Sequence, residues 1–178
     1  MKHTILLLSF CLTVSSITSA EALTTDSSQP LNITSDQFTY NDAQSVAIYQ
    51  GHVIGIQGSR YLTADKVIVQ LDQNKEISKV DAYGNPAHYH YQPKPQDPLI
   101  YASAKTIEYA PSSHLLSLIG NGKVTQQGNI FKGELITYNT DTQVIESKGA
   151  TTNNRPLMVI QPYTQTKASP HAKPASSS

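Results

Sequence analysis

Turn-forming residues punctuate this chain so closely that only strands fit between them. Gln50-Gly51, Gln57-Gly58, Asp72-Gln73-Asn74, Gly84-Asn85-Pro86, Ala110-Pro111-Ser112, Asn121-Gly122, Gln127-Gly128 and Asn139-Thr140-Asp141 separate short apolar or alternating runs. No window past the first twenty-two residues carries apolar side chains at helical spacing. Many short strands of this kind predict an all-β fold: an antiparallel sandwich, barrel, jelly roll or solenoid.

With 178 residues the chain can build one domain with a real core. Lys plus Arg and Asp plus Glu both total 13. A zero net charge argues against nucleic acid as a partner, since phosphates need a basic stripe. The amino terminus looks like a processing segment. Lys2 and His3 precede an apolar stretch at 5–17, and Ala20-Glu21-Ala22 offers a cleavage site. We therefore expect a signal peptide at 1–22, a β domain at 23–161 and a disordered tail at 162–178, which is short of apolar residues. An uncleaved membrane anchor is the rival reading of the first segment. The single cysteine, Cys11, lies within it, and Phe10 before it is too bulky for a lipoprotein site. The remaining chain then has no thiol for a disulfide, a nucleophile or a thiolate metal site.

The chain echoes itself at a spacing of about 69 residues. "YLTADKVIVQLD" (61–72) aligns with "IFKGELITYNTD" (130–141), so that Val67, Val69 and Asp72 fall on Ile136, Tyr138 and Asp141. Tyr40 followed by Gly51-His52-Val53 is matched by Tyr109 followed by Gly122-Lys123-Val124. Two copies of one β-unit, stacked so that each covers the other's open end, would leave this trace. Within each copy the alternation changes phase. Leu62 and Ala64 give way to Val67, Val69 and Leu71, and Phe131 and Gly133 give way to Ile136 and Tyr138. A β-bulge or sharp bend produces such a switch, and so does a strand buried on both faces.

Reactive chemistry is sparse. No phosphate-cradling G-x-x-x-x-G-K-[ST] loop, nucleophile elbow or H-E-x-x-H helix occurs. Asp36, Asp65 and Asp81 suit strand ends and turns rather than a glycosidase pair. His88-Tyr89-His90 would point two imidazoles the same way on a strand, and His52 or His114 could add a third ligand to a zinc site. The plainer alternative is a polar outer face opposite inward Tyr89 and Tyr91. Residues 84–98, "GNPAHYHYQPKPQDP", start as a strand and become a loop that a ladder would not tolerate. Leu31, Ile33, Ile48, Val67, Val69, Ile107, Leu116 and Leu118 are enough for an ordinary sandwich core.

Read together, "QPLNITSDQFTY" (29–40), "GHVIGIQGSRYLTADKVIVQL" (51–71), "VDAYGNPAHY" (80–89), "LSLIGNGKVTQQGNIFKGELITY" (116–138) and "ESKG" (146–149) resemble the LptA/OstA-like family of periplasmic lipopolysaccharide carriers. The likeness runs from about Gln29 to Ile160. It implies an antiparallel β-jelly roll shaped as a V, with an open groove for the acyl chains of lipid A. It implies a protein that is not an enzyme and needs no cofactor, and that holds no metal. Its partners would be lipopolysaccharide, inner-membrane LptC-like and outer-membrane LptD-like components, and further copies joined head to tail. By this resemblance the groove residues are Leu31, Ile33, Tyr40, Ile48, Tyr89, Ile107, Tyr109, Leu116 and Leu118. With no basic cluster along the chain, headgroup phosphates should not be gripped tightly. Tyr at 89, where relatives carry Phe, makes the groove slightly more polar, and the Pro-rich loop at 93–98 is unusual. A membrane-anchored LptC-like component and a metal-binding or hydrolytic β-sandwich are the alternatives.

Overall fold

A computed structural model describes residues 26–94, 96–149 and 155–162. The expected signal peptide at 1–22 and the tail beyond Pro162 lie outside the described residues. Ten antiparallel strands form one sheet: β1 (Asn32–Thr34), β2 (Gln37–Asn41), β3 (Val46–Gln57), β4 (Arg60–Leu71), β5 (Ile77–Tyr91), β6 (Ile100–Ala110), β7 (Leu115–Gln126), β8 (Asn129–Asn139), β9 (Ile145–Lys148) and β10 (Leu157–Val159). Their order is β1-β3-β4-β5-β6-β7-β8-β10, with β2 also on β3 and β9 also on β8. Consecutive strands are neighbours throughout the middle, because each is joined to the next by a short turn.

Several of the turn signals are not turns. Gln50-Gly51 lies inside β3, Gly84-Asn85-Pro86 inside β5 and Asn121-Gly122 inside β7. At these places the strands bend. The ladder shifts register between Gln50 and Val53 of β3, Thr63 and Lys66 of β4, Tyr83 and Ala87 of β5, Ser103 and Thr106 of β6, and Ile119 and Gly122 of β7. These bulges lie side by side, so they form one crease across the sheet. A bulge sharpens local twist and re-aims the side chains that follow it. Leu62 and Ala64 before the β4 bulge and Val67 and Val69 after it therefore all pack into one core. The phase switch in the sequence is thus a bend. Pro86 sits in this bulge behind a cis Asn85–Pro86 bond, a position where the missing N–H breaks no ladder.

The crease divides the sheet into two arms. Arm one holds β1, residues 53–57, 60–64, 87–91, 100–104, 122–126 and 129–133, and β10. Arm two holds β2, residues 46–50, 66–71, 77–83, 106–110, 115–119 and 135–139, and β9. The arms face one another. The Tyr91 hydroxyl of arm one donates to the Tyr138 hydroxyl of arm two at 2.8 Å. Val53, Ala87 and Val124 from arm one share the core with Val67, Leu118 and Ile136 from arm two. This is the open, jelly-roll-like arrangement the resemblance implied.

The repeat is carried strand for strand. Val46 opens β3 and Leu115 opens β7, 69 residues later, and Gln57 and Gln126 close them at the same offset. β4 falls likewise on β8, β1 with β2 on β6, and β5 on β9 with β10. One alignment from the sequence moves. The partner of Gly51-His52 is Gly120-Asn121, not Gly122-Lys123, since φ is +78° and +46° in the first pair and +80° and +55° in the second.

Candidate functional site

Between the arms, on the side of the amino-terminal edge, lies a cavity of about 480 Å³. Arm one contributes Ile33 of β1, Gly55 of β3, Leu62 of β4 and Tyr89 of β5. Arm two contributes Val67, Val80, Ala82, Ile107, Tyr109 and Leu116. Leu31 stands at the edge beside them, and Lys75 and Glu76 border the cavity from the β4–β5 turn. Strand alternation explains the lining, since every second residue on each side of the crease faces inward.

Of the nine residues proposed from the resemblance, the cavity brings together six: Leu31, Ile33, Tyr89, Ile107, Tyr109 and Leu116. The other three lie elsewhere. Leu118 is fully buried and faces Ile136 across the ladder, in the packed part of the core. Ile48 alternates with the inward Ala47 and Tyr49, so it points to the outer face. Tyr40 is paired with Ala47 at the rim of arm two, where it is exposed and its hydroxyl donates to Asp42 at 3.1 Å.

Leu62, Val80, Ala82 and Arg60 line the cavity without being among those nine. Arg60 begins β4 on the same parity as Leu62 and Ala64, and its chain enters the space between the arms. Its guanidinium carbon lies 5.1 Å from the centre of the Tyr109 ring, a cation–π contact that links arm one to arm two. Nη1 donates to the Gln57 side chain at 3.3 Å. Nε lies 3.8 Å from a carboxylate oxygen of Asp26. Asp26 opens a 3-10 turn (Asp26–Ser28) and accepts from the Ser59 amide at 2.9 Å and the Ser59 hydroxyl at 2.6 Å. The mouth of the cavity thus carries a partly buried charge pair on an apolar wall. Burial pushes the Tyr89 hydroxyl well above its usual range. It does the same to Tyr91, where donation to Tyr138 adds to the effect. Both phenols are neutral at physiological pH. The deeper lining offers no nucleophile or base.

The histidines do not converge. His88 and His90 are on the outer face of β5, and His90 stacks on Tyr61 at 5.0 Å and lies 5.5 Å from Tyr101. His52 pairs with Asp36 at 2.7 Å, and His114 lies 3.9 Å from Asp141. Among the described residues no three His, Cys, Asp or Glu side chains are grouped to hold a metal ion. Asp81 is buried under Lys79, whose Nζ lies 2.8 Å away and also reaches Glu108 at 3.4 Å. These carboxylates brace strands.

Comparison with known proteins follows the geometry. Residues 32–144 match the family described as LptA/(LptD N-terminal domain) LPS transport protein. The lipopolysaccharide export system protein LptH of Pseudomonas aeruginosa is 39% identical over 149 residues, covering 80% of this chain and 85% of the relative. LptA of Escherichia coli K12, an export system protein too, is 33% identical over 131 residues, covering 72% and 69%. The crystal structure of LptH, described as the LptA-homologous periplasmic component of the lipopolysaccharide transport device, superposes with a TM-score of 0.72 at 35% identity. That likeness covers 77% of this chain and 99% of the other.

Proposed function

Since the chain belongs to the LptA/LptD N-terminal family of lipopolysaccharide transport proteins, we propose that it is a periplasmic carrier of lipopolysaccharide. It holds acyl chains of lipid A between its two arms. The observation that carries this reading is the cavity walled by Ile33, Leu62, Val80, Ile107 and Leu116 at the edge of an open sheet. Each shielded methylene is worth roughly 0.8 kcal/mol, so a dozen on one lipid amount to about 10 kcal/mol. That magnitude forbids crossing water unshielded. An open side lets lipid slide onward without being rehydrated. The protein runs no reaction of its own, and the driving force comes from another component. Copies join head to tail through β1 and β10, toward LptC-like and LptD-like partners at the two membranes.

The test is photo-crosslinking to lipopolysaccharide from a probe at Ile33, inside the cavity, against one at Ile54, on the outer face. Ile33→Asp should abolish crosslinking from a probe at Leu116 while the β-sheet circular dichroism survives, because a carboxylate among acyl chains must be desolvated or protonated. Equal crosslinking from Ile33 and Ile54 would sink the reading.

A further inference from the structure

The outer face of arm one carries a feature invisible along the chain. Lys105, Lys123, Lys132 and Arg155 come from β6, β7, β8 and the segment before β10, and together they line a trough of about 540 Å³ beside the crease. The bulged Asn85-Pro86 and Leu157 also line it. No basic cluster could be read from the sequence because these four are spread over fifty positions, 105 to 155.

Two observations point to an anion. Lys123 and Lys132 are directly opposite each other across β7 and β8. Like charges in that relation repel and destabilise the ladder, and an anion between them would relieve the repulsion. Among the described residues none of the four cations is in an ion pair; no acidic residue lines the trough itself, and the nearby Glu134 carboxylate accepts from the Asn121 amide at 3.5 Å. The trough is also shaped for the task. Gly120, at φ +80°, has no Cβ, and the stem of Lys105 lies against the space a Cβ would take, its own Cβ 3.0 Å from that point. The Lys105 stem is thereby laid along the crease.

We propose that this trough is a binding site for phosphate-bearing anions, held by Lys123 and Lys132 as a pair with Lys105 and Arg155 at the sides. Opposed Cβ atoms on neighbouring strands are about 5 Å apart, so two ammonium groups reach the oxygens of one phosphate. The ligand is either a free phosphate or a phosphate of a lipid headgroup. The second source rests on the transport reading above.

The experiment titrates the purified protein with inorganic pyrophosphate by calorimetry at low salt. It then repeats the titration with lipopolysaccharide and with the same lipid stripped of its phosphates. The comparison variant is Lys123→Gln with Lys132→Gln, both on the exposed face, so folding is not at stake. Pyrophosphate should bind about tenfold or more weakly to the variant and more weakly as salt rises. If phosphorylated lipid loses affinity in parallel while stripped lipid does not, the headgroup is the source. If only pyrophosphate loses affinity, the ligand is free phosphate. Crosslinking from Ile33 should persist in the variant, which separates failure of this site from failure of the groove. Unchanged pyrophosphate affinity in the variant, or a polyglutamate peptide binding where pyrophosphate does not, overturns the proposal.

Discussion

Arg60 sits on an apolar wall because its neighbours neutralise it. Asp26, Gln57 and the Tyr109 face each meet part of the guanidinium. The pair is only partly buried and contributes little by itself, and Asp26 keeps its two Ser59 donors when the guanidinium is gone. Arg60→Leu, which extends the Leu62–Ala64 stripe, should therefore change stability by about 1 kcal/mol or less. Asp26→Ala should cost roughly 1–3 kcal/mol, since it orphans the Ser59 amide as well. Urea melts of both variants check the order, and a costlier Arg60→Leu would refute it. The parity of Arg60 with Leu62 and Ala64 was the available signal in the sequence. A charged residue after a turn is usually solvated, which masks that signal. His52 makes a second residue-scale prediction. Its hydrogen bond to Asp36 holds its pKa above the ordinary 6.5. The stability this lends is full below 6.5 and is lost as pH rises through the raised folded value. Asp36→Asn should return the NMR titration of His52 to about 6.5. A parent protein already titrating there would contradict the pairing.

At the scale of the strand, the crease is the device that turns ten strands into two facing arms. Gly51 and Gly120 occupy equivalent places in it, both at φ near +80°. Gly51 also leaves room for the Asp36 carboxylate, which a Cβ would displace. Left-handed backbone costs a residue with a Cβ roughly 1–2 kcal/mol, so Gly51→Ala and Gly120→Ala should each destabilise by about that much. Gly55→Ala is the control. Its backbone is ordinary, and the nearest atom to a new Cβ is 3.6 Å away on Leu62. It should be neutral or slightly stabilising, and thermal melts would show whether the three variants separate. These bends explain what could be read from sequence. In β4, Leu62, Ala64, Val67 and Val69 record the change of phase, so the bend was legible there. In β3, Gly51 marks a bend but the apolar Ile48, Ile54 and Ile56 face outward, so an apolar side chain there does not by itself mark the inner face. Leu118 was legible as buried, yet whether a buried position faces a cavity or a neighbour depends on the distance between arms, which no local pattern encodes.

For the molecule as a whole, the internal repeat sets how copies should meet. β5 of the first unit pairs with β6 of the second, with His90 opposite Tyr101 and His88 opposite Ser103. β9 and β10 are the second unit's counterparts of β5, and β1 and β2 are the first unit's counterparts of β6. Both pairs end the sheet, and among the described residues their outer edges are unpaired. Unpaired edges recruit strands, and a head-to-tail contact between unlike edges does not close on itself. If one copy continues the sheet of another by repeating its internal junction, the 69-residue offset gives the register. His90 becomes Val159, and Tyr101 becomes Asn32 of the next copy. His88 becomes Leu157, and Ser103 becomes Thr34. This register keeps Ile33 opposite Met158 on the inner face, so the cavities of successive copies line up. The check is disulfide trapping on the outer face, where a bridge does not obstruct the groove. Val159→Cys with Asn32→Cys should give oxidised ladders of linked chains. Leu157→Cys with Asn32→Cys, two residues out of register and about 7 Å apart, should link far less. Val159→Pro disrupts the edge strand β10 and should leave a folded monomer by light scattering at concentrations where the parent associates. Equal trapping from both cysteine pairs would mean that the copies meet in some other register, and that the internal junction is not the template for the bridge.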